Sequence, residues 1–290
     1  VVLLSHNGFD VDQKLATIIE GVDVILTGHT HDAIPKAIRI NGTLLLSSGS
    51  HGKYLGRIDL KVNNGKVVET SSNLIPIFSD IIPPNPEITN LINKVRDPFE
   101  KECNRVVGET ETLLYRRGNF NGSWDDIICD SIMQERDTEI SLSPGFRWGT
   151  TILPGQKITI DDIYSQTAMN YPEVYRVQMT GKMIKEILED VCDNIFNPDP
   201  FFQQGGDMVR VGGIKYTCSP KNKIGKRISN LRITSTDQPL EANKKYIVGG
   251  WGSVNPNVKG PPIYSILEKY ISEKKVINAK KSETVEVLGM

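Results

Sequence analysis

Apolar positions in the first part of the chain change their period from strand-like to helical and back. Val1 to Ser5 is a short apolar run, Asp10 to Glu20 places Leu15, Ile18 and Ile19 on one helical face, and Val22 to Thr27 returns to strand. Gly21 supplies the helix stop between them. The order strand, helix, strand predicts neighbouring parallel strands. Two hairpins follow, Lys36 to Ile40 with Thr43 to Ser47 across Asn41-Gly42, and Tyr54 to Val62 with Lys66 to Ile75 across Asn63-Asn64-Gly65. In both, Asn and Gly provide the positive φ of a tight turn.

The pattern changes at Ile81-Ile82-Pro83-Pro84-Asn85-Pro86, where clustered prolines favour extended backbone and mark a boundary or hinge. A helix is predicted from Pro86 to about Cys103, kinked or broken at Pro98. Helical patterns then recur at Asp125 to Arg136, Gly181 to Phe196 and Ile263 to Ser272, between strand patterns at Val174 to Met179, Arg227 to Thr234 and Tyr246 to Val248. These patterns give a first domain over 1–82, a linker and helix over 83–103, and a second α/β or α+β domain over 104–290.

Composition narrows the field of partners. The 290 residues hold 34 Lys and Arg against 35 Asp and Glu, a net charge of -1. That leaves no excess of positive charge to replace the counterions of nucleic acid or to bind an anionic membrane. No run approaches the roughly 18 to 20 apolar residues that span a bilayer. The chain opens inside an apolar run with neither an initiator Met nor a signal-peptide series, and so reads as a fragment that begins within a domain. Cys103, Cys129, Cys192 and Cys218 have no CxxC spacing and allow three pairings; burial as small hydrophobes is the favoured reading.

The histidines carry the chemical signal. His6, His29, His31 and His51 all lie in the first 51 residues, an arrangement that random placement gives about one time in a thousand, and clustered histidines mark metal sites. His6 follows the first strand, and His29 and His31 follow the second, at the carboxyl ends where open α/β sheets place their sites. In extended backbone, residues two apart point the same way, so His29 and His31 are expected to converge on one locus, with Gly8 and Gly28 permitting close approach. Imidazole suits Mn, Fe, Zn and Ni better than Mg or Ca. Three histidines do not complete two such ions. Asp10, Asp12 and Asp32 stand nearby, with helix capping and solvation as their favoured readings. His51 reads as a satisfied non-ligand or as a further ligand, the former favoured.

Ser5-His6-Asn7-Gly8 with Gly28-His29-Thr30-His31 resembles the last two metal blocks of the calcineurin-like metallophosphoesterases, specifically the 5′-nucleotidase superfamily. The resemblance implies two divalent ions, with manganese the implied metal, of which one is bound by His6 and His29 and the other by His31. That family also has earlier Asp-x-His, Asp and Asn-His blocks, the last holding the histidine that stabilises the transition state; these 290 residues do not contain them, which implies half a metal site. Leu142-Ser143-Pro144-Gly145-Phe146-Arg147, Gly155, Asp161-Asp162-Ile163 and Met179-Thr180-Gly181-Lys182 resemble the family's substrate-binding domain. The implied fold class is α/β (α+β), the C-terminal part of a metallophosphoesterase sandwich over 1–82 and a 5′-nucleotidase-type C-terminal α/β domain over 104–290. The resemblance makes Arg147, and one of Arg116 and Arg117, substrate-facing. A guanidinium fork suits a planar or tetrahedral anion.

Where nucleotidases of the superfamily carry the loop that stacks the base, this sequence reads Val248-Gly249-Gly250-Trp251-Gly252-Ser253-Val254-Asn255. Gly205 to Gly213, Tyr115 to Gly122 and Ser50-His51-Gly52-Lys53-Tyr54 are instead similar to the SoxB group, the sulfate-releasing hydrolases of thiosulfate oxidation. That resemblance implies a periplasmic enzyme that frees sulfate from a cysteine S-sulfonate or thiosulfonate on the C-terminal arm of a SoxYZ carrier protein. Asp207, Arg210 and Trp251 are its further candidate pocket walls. The plainer reading of 205–213 is a glycine-rich hairpin with Asp207 and Arg210 at the surface. Two other functions stay open, a 5′-nucleotidase or cyclic-nucleotide phosphodiesterase that stacks its base on Phe201 or Phe202, and a non-catalytic fragment or homologue.

Overall fold

A computed structural model describes all residues except 117, 147, 204, 256, 280–282 and 290. The chain forms two compact units, Val1–Val95 with Asn197–Gly205, and Arg96–Phe196 with Gly206–Met290. The division falls inside the expected linker helix. It also assigns a short stretch from the middle of the expected second domain to the first unit.

The first unit begins with β1 (Val2–Ser5), α1 (Phe9–Ala16) and β2 (Val24–Thr27), then β3 (Ile38–Ile40), β4 (Thr43–Ser47), β5 (Tyr54–Asn63), β6 (Lys66–Pro76) and α2 (Pro86–Arg96). Its main sheet has the order β1-β2-β4-β3. β1, β2 and β4 are parallel, and β3 returns antiparallel across Asn41-Gly42, where φ is 46° and 89°. Ala16, Ile25 and Leu45 are the buried centre. α1 stops earlier than its apolar pattern: the Thr17 hydroxyl donates to the Lys14 carbonyl, and the Ile18 and Ile19 amides both turn back to Leu15. The long hairpin β5–β6 forms a separate two-stranded ribbon.

The second unit contains α3 (Glu100–Cys103), β7 (Val106–Thr110), α4 (Ser123–Arg136), β8 (Ile140–Ser143), β9 (Lys157–Thr159), α5 (Ile160–Thr167), β10 (Tyr175–Thr180) and α6 (Gly181–Ile195). It closes with β11 (Arg210–Gly212), β12 (Ile214–Cys218), β13 (Ile228–Ile233), β14 (Lys245–Gly250), α7 (Ile263–Lys274), β15 (Val276–Ile277) and β16 (Val285–Val287). Pro98 interrupts the long helix as expected, with one 3-10 turn separating α2 from α3. The strands make a mixed sheet β10-β14-β8-β11 and two three-stranded sheets, β13-β12-β16 and β15-β7-β9. Trp124, Ile128 and Ile132 of α4 meet Ile263, Leu267 and Ile271 of α7 in one core. Ile184, Leu188 and Cys192 of α6 join Leu142, Tyr216 and Ile228 in a second. No helix among the described residues is long and apolar enough to cross a membrane.

A buried charge cluster joins α4 to β11. Asp125 accepts from Arg116 Nε at 2.8 Å and lies 3.2 Å from Arg210 Nε, while Arg210 Nη2 also donates to Asp207 at 3.1 Å and to the Gly118 carbonyl at 2.6 Å. Burial raises the Asp125 pKa, and the charges of Arg116 and Arg210 oppose the rise. Removing one member of such a cluster leaves its partners charged and desolvated. Asp125→Ala is expected to lower stability by about 3–5 kcal/mol, read as a fall in the urea midpoint of unfolding. A loss within the ordinary range of a surface substitution would show the cluster to be hydrated.

Candidate functional site

The three parallel strands end at one level. Ser5 pairs with Thr27 and Thr27 with Ser47, so the segments holding His6, His29, His31 and His51 leave the same edge of the sheet. His51 belongs here because β4 lies parallel beside β2, an adjacency that local pattern does not reveal. Carboxyl-end edges of parallel sheets are the usual seat of α/β sites.

The imidazoles meet as two pairs. The His6 and His29 ring centres are 5.0 Å apart with planes at 67°, and those of His31 and His51 are 5.9 Å apart at 73°. His29 and His31 do not lie in the extended backbone expected of them. Both residues are left-handed, with φ of 76° and 61°, and His51 is too, at 59°. Left-handed backbone outside glycine is uncommon, and such residues gather at functional sites, where surrounding contacts hold them. Among the described residues no group of three or more His, Cys, Asp and Glu side chains forms a metal cluster.

The holding contacts are specific. Asp12 is fully buried and accepts from Ser5 Oγ at 2.7 Å and Asn7 Nδ2 at 3.2 Å, bracketing His6 on both sides. It is neither a cap nor a solvated acid. Its position three and seven residues before Leu15 and Ile19 puts it on the apolar helical face, and that misplaced charge was the available signal. Thr30 Oγ1 accepts from the Phe9 amide at 3.0 Å and donates to Asp32. The Asp32 carbonyl in turn accepts from Ser47 Oγ at 2.6 Å and from the Gly49 amide at 2.7 Å. The turn bearing His29 and His31 is thus tied to both the start of α1 and the end of β4.

Gly205 completes this side of the first unit. Its φ is 76°, and a β-carbon there would lie 2.2 Å from His29 Nε2. The segment that carries it is anchored by the ion pair of Lys14 with Asp199, and Lys14 Nζ also lies 4.5 Å from the centre of the Phe201 ring. Phe201 and Phe202 are 44% and 67% exposed.

The predicted pocket walls of the second unit are placed differently from expectation. Arg116 is 2% exposed, and its three guanidinium nitrogens donate to Asp125, to the Gln166 carbonyl at 2.6 Å and to the Pro144 carbonyl at 3.2 Å. Arg210, 1% exposed, and Asp207 are members of the same buried cluster, so neither is a surface residue. Among the described residues, only Nη2 of the Arg210 guanidinium nitrogens donates a hydrogen bond; Nε lies 3.2 Å from Asp125, and Nη1 is buried without a hydrogen-bond partner. Trp251 is 3% exposed and donates from Nε1 to Ser143 Oγ at 2.8 Å. It meets Phe146 edge-on, and Phe146 stacks on Trp148 at 3.7 Å. Within the glycine-rich 205–213 stretch, a β-carbon on Gly213 would meet the Glu139 carbonyl at 2.1 Å; that glycine serves packing inside the unit. Arg117 and Arg147 lie outside the described residues.

Residues 106–252 match the model of the 5′-nucleotidase C-terminal domain family. This chain belongs to the 5′-nucleotidase family. As a family member it is similar over its whole length to the sulfate thiohydrolase SoxB of Thermus thermophilus, with a TM-score of 0.94, 34% identity and coverage of 55% of that chain. A 5′-nucleotidase precursor, also from Thermus thermophilus, matches the whole chain at TM-score 0.83 and 20% identity, and 64% of its own length is covered, which shows shared fold. The trifunctional nucleotide phosphoesterase YfkN of Bacillus subtilis is 29% identical over 247 residues, 81% of this chain and 16% of YfkN. The chain thus spans about half of the SoxB structure and a small part of YfkN. The mixed α/β class agrees with the family match and with the likeness to both Thermus structures.

Gly205→Ala tests the contact at the histidine edge. The substitution is expected to lower stability by about 1–2 kcal/mol through the left-handed backbone. It should also shift the His29 imidazole resonances while those of His31 and His51 stay in place. Unchanged His29 signals in heteronuclear NMR would remove Gly205 from the site.

Proposed function

We propose that this family member belongs to a SoxB-type hydrolase that releases sulfate from a cysteine S-sulfonate or S-thiosulfonate on the arm of a SoxYZ-type carrier protein in the periplasm. The observation that carries the reading is the likeness to SoxB along the entire chain, at 34% identity against 20% for the nucleotidase precursor. The motifs around Gly205–Gly213 and Tyr115–Gly122 support it.

The donor set at the sheet edge fits transition-metal ions, since four neutral-capable imidazoles stand in two pairs on constrained backbone. His6 with His29 would hold one divalent ion and His31 the other, with His51 adjacent to His31 and manganese the metal that the resemblance implies. Such ions, when bound, supply a water acidified toward neutral pH and charge neutralisation at the sulfonate oxygens. Asp12 fixes the Ser5–Asn7 turn from behind, Thr30 and Asp32 fix the second turn, and Gly205 limits how far the His29 ring can rotate. The role of such supporting contacts is to hold donors near their working geometry before any ligand arrives. In the hydrolysis, the water oxygen adds to the sulfonate sulfur while the bond from that sulfur to the carrier sulfur breaks. The carrier sulfur leaves as a thiol or persulfide, and the oxygen is retained in sulfate. Arg147, with Arg117, orients the anion in this reading.

A second reading keeps the reaction class and changes the substrate to a 5′-nucleotide or cyclic nucleotide. It is favoured by Phe201 and Phe202, whose rings are exposed rather than packed in a core. The complete manganese-loaded protein containing this chain is expected to release sulfate, measured by ion chromatography, from a glycine-rich peptide bearing a cysteine S-sulfonate or S-thiosulfonate, and no phosphate from 5′-nucleotides. Phosphate without sulfate would transfer the protein to the nucleotidases, and neither product would favour a non-catalytic homologue. In the same protein, His29→Ala is expected to lose bound metal and turnover together, whereas Arg147→Ala keeps its metal and loses substrate use. Full metal content in the histidine variant, by plasma mass spectrometry, would overturn the ligand assignment.

A further inference from the structure

Four cysteines have no part in the proposed chemistry, and two of them meet. Cys192 lies near the end of α6 and Cys218 is the last residue of β12, 26 positions later; both are fully buried, and their Sγ atoms are 3.5 Å apart. That separation is a thiol–thiol contact. A covalent bond needs an approach of about 1.5 Å further, within the reach of side-chain rotation and a small backbone shift.

The surrounding structure holds the two thiols together independently of each other. Glu189, one turn before Cys192, accepts from the Arg227 and Ile228 amides at 2.9 and 3.0 Å, and Asp193, next to Cys192, accepts from Arg227 Nη1 at 2.6 Å. These bonds pin the end of α6 to the start of β13. Ile228 is in turn the strand partner of Cys218. Two elements are therefore locked at one point, with a thiol from each facing across it. Cys103 is only partly buried, and Cys129 lies in α4 without a cysteine neighbour among the described residues.

We infer that Cys192 and Cys218 form a disulfide tying α6 to β12 when the chain folds in the presence of a disulfide oxidant such as oxidised glutathione or a protein disulfide. The thiolate of one cysteine displaces one thiol from the oxidant and forms a mixed disulfide; the other cysteine then attacks the sulfur of the first and displaces the second. Two protein thiols are oxidised, the oxidant disulfide is reduced to two thiols, and the two protons pass to them. Full burial confines the exchange to folding or to transient opening of the unit. The bond closes a loop of the unfolded chain, the usual source of disulfide stabilisation.

The full chain is equilibrated with glutathione mixtures of increasing oxidised fraction, quenched in acid, unfolded and alkylated with N-ethylmaleimide. Intact mass should show two of the four thiols disappearing together, and a tryptic digest should give the Cys192–Cys218 linked peptide. Thermal unfolding of the oxidised form is expected roughly 5–10 °C above the reduced form. Cys192→Ala and Cys218→Ala should each retain all three remaining thiols, while Cys103→Ser still loses two. Four alkylated thiols at every glutathione ratio, a glutathione adduct on either residue without the link, or a bond through Cys103 or Cys129 would overturn the inference. The wild-type thiol count decides the question even if an alanine variant fails to fold.

Discussion

The hydrogen-bond ladder that pairs Ser5 with Thr27 and Thr27 with Ser47 decides where every histidine of this chain stands, because each follows one of those strand ends within a few residues. A slip of one residue in either pairing would reverse which side chains face the core and would carry a histidine to another level. The core formed by Ala16, Ile25 and Leu45 opposes that slip. The left-handed residues at 29, 31 and 51 depend on the same ladder. Their conformational cost is met by contacts between the strand ends, through Thr30, Asp32, Ser47 and Gly49.

Charge burial governs the second unit in an equally restrictive way. Arg116, Asp125, Asp207 and Arg210 bring two positive and two negative groups out of water together; the carbonyls of Gln166, Pro144 and Gly118 accept from Arg116 Nη1, Arg116 Nη2 and Arg210 Nη2, and Arg210 Nη1 is buried without a partner among the described residues. A guanidinium in that setting is a strut between loops. Through the Pro144 carbonyl, Arg116 holds the backbone just before Phe146, against which Trp251 and Trp148 pack. Arginine beside a glycine-rich loop is thus compatible with two opposite roles, and desolvation separates them.

Within the 5′-nucleotidase family, one fold supports hydrolysis of chemically different anions, and fold alone does not choose among them. Trp251 fills the core, and its indole N–H is engaged by Ser143. The exposed Phe201 and Phe202 sit on a different segment, beside Lys14 and Asp199. The proposed sulfate-releasing reading and the nucleotide reading therefore rest on distinct side chains.

Local sequence carried the elements well where a short-range cause existed. Period-two runs, the Asn-Gly turns and the break at Pro98 all recur at the anticipated places, within a few residues at their ends. The clustering of histidines after strand ends was equally legible, since it needs only strand prediction and residue type. What tertiary structure alone decided is everything that depends on which distant segments become neighbours. It placed β4 beside β2 and so brought His51 to His31, and it laid Gly205 on His29. It also turned Asp12 inward and buried Arg116, Arg210 and Trp251. A residue type states what a side chain can do, whereas its solvation and its partners, which determine what it does, are properties of the packed chain.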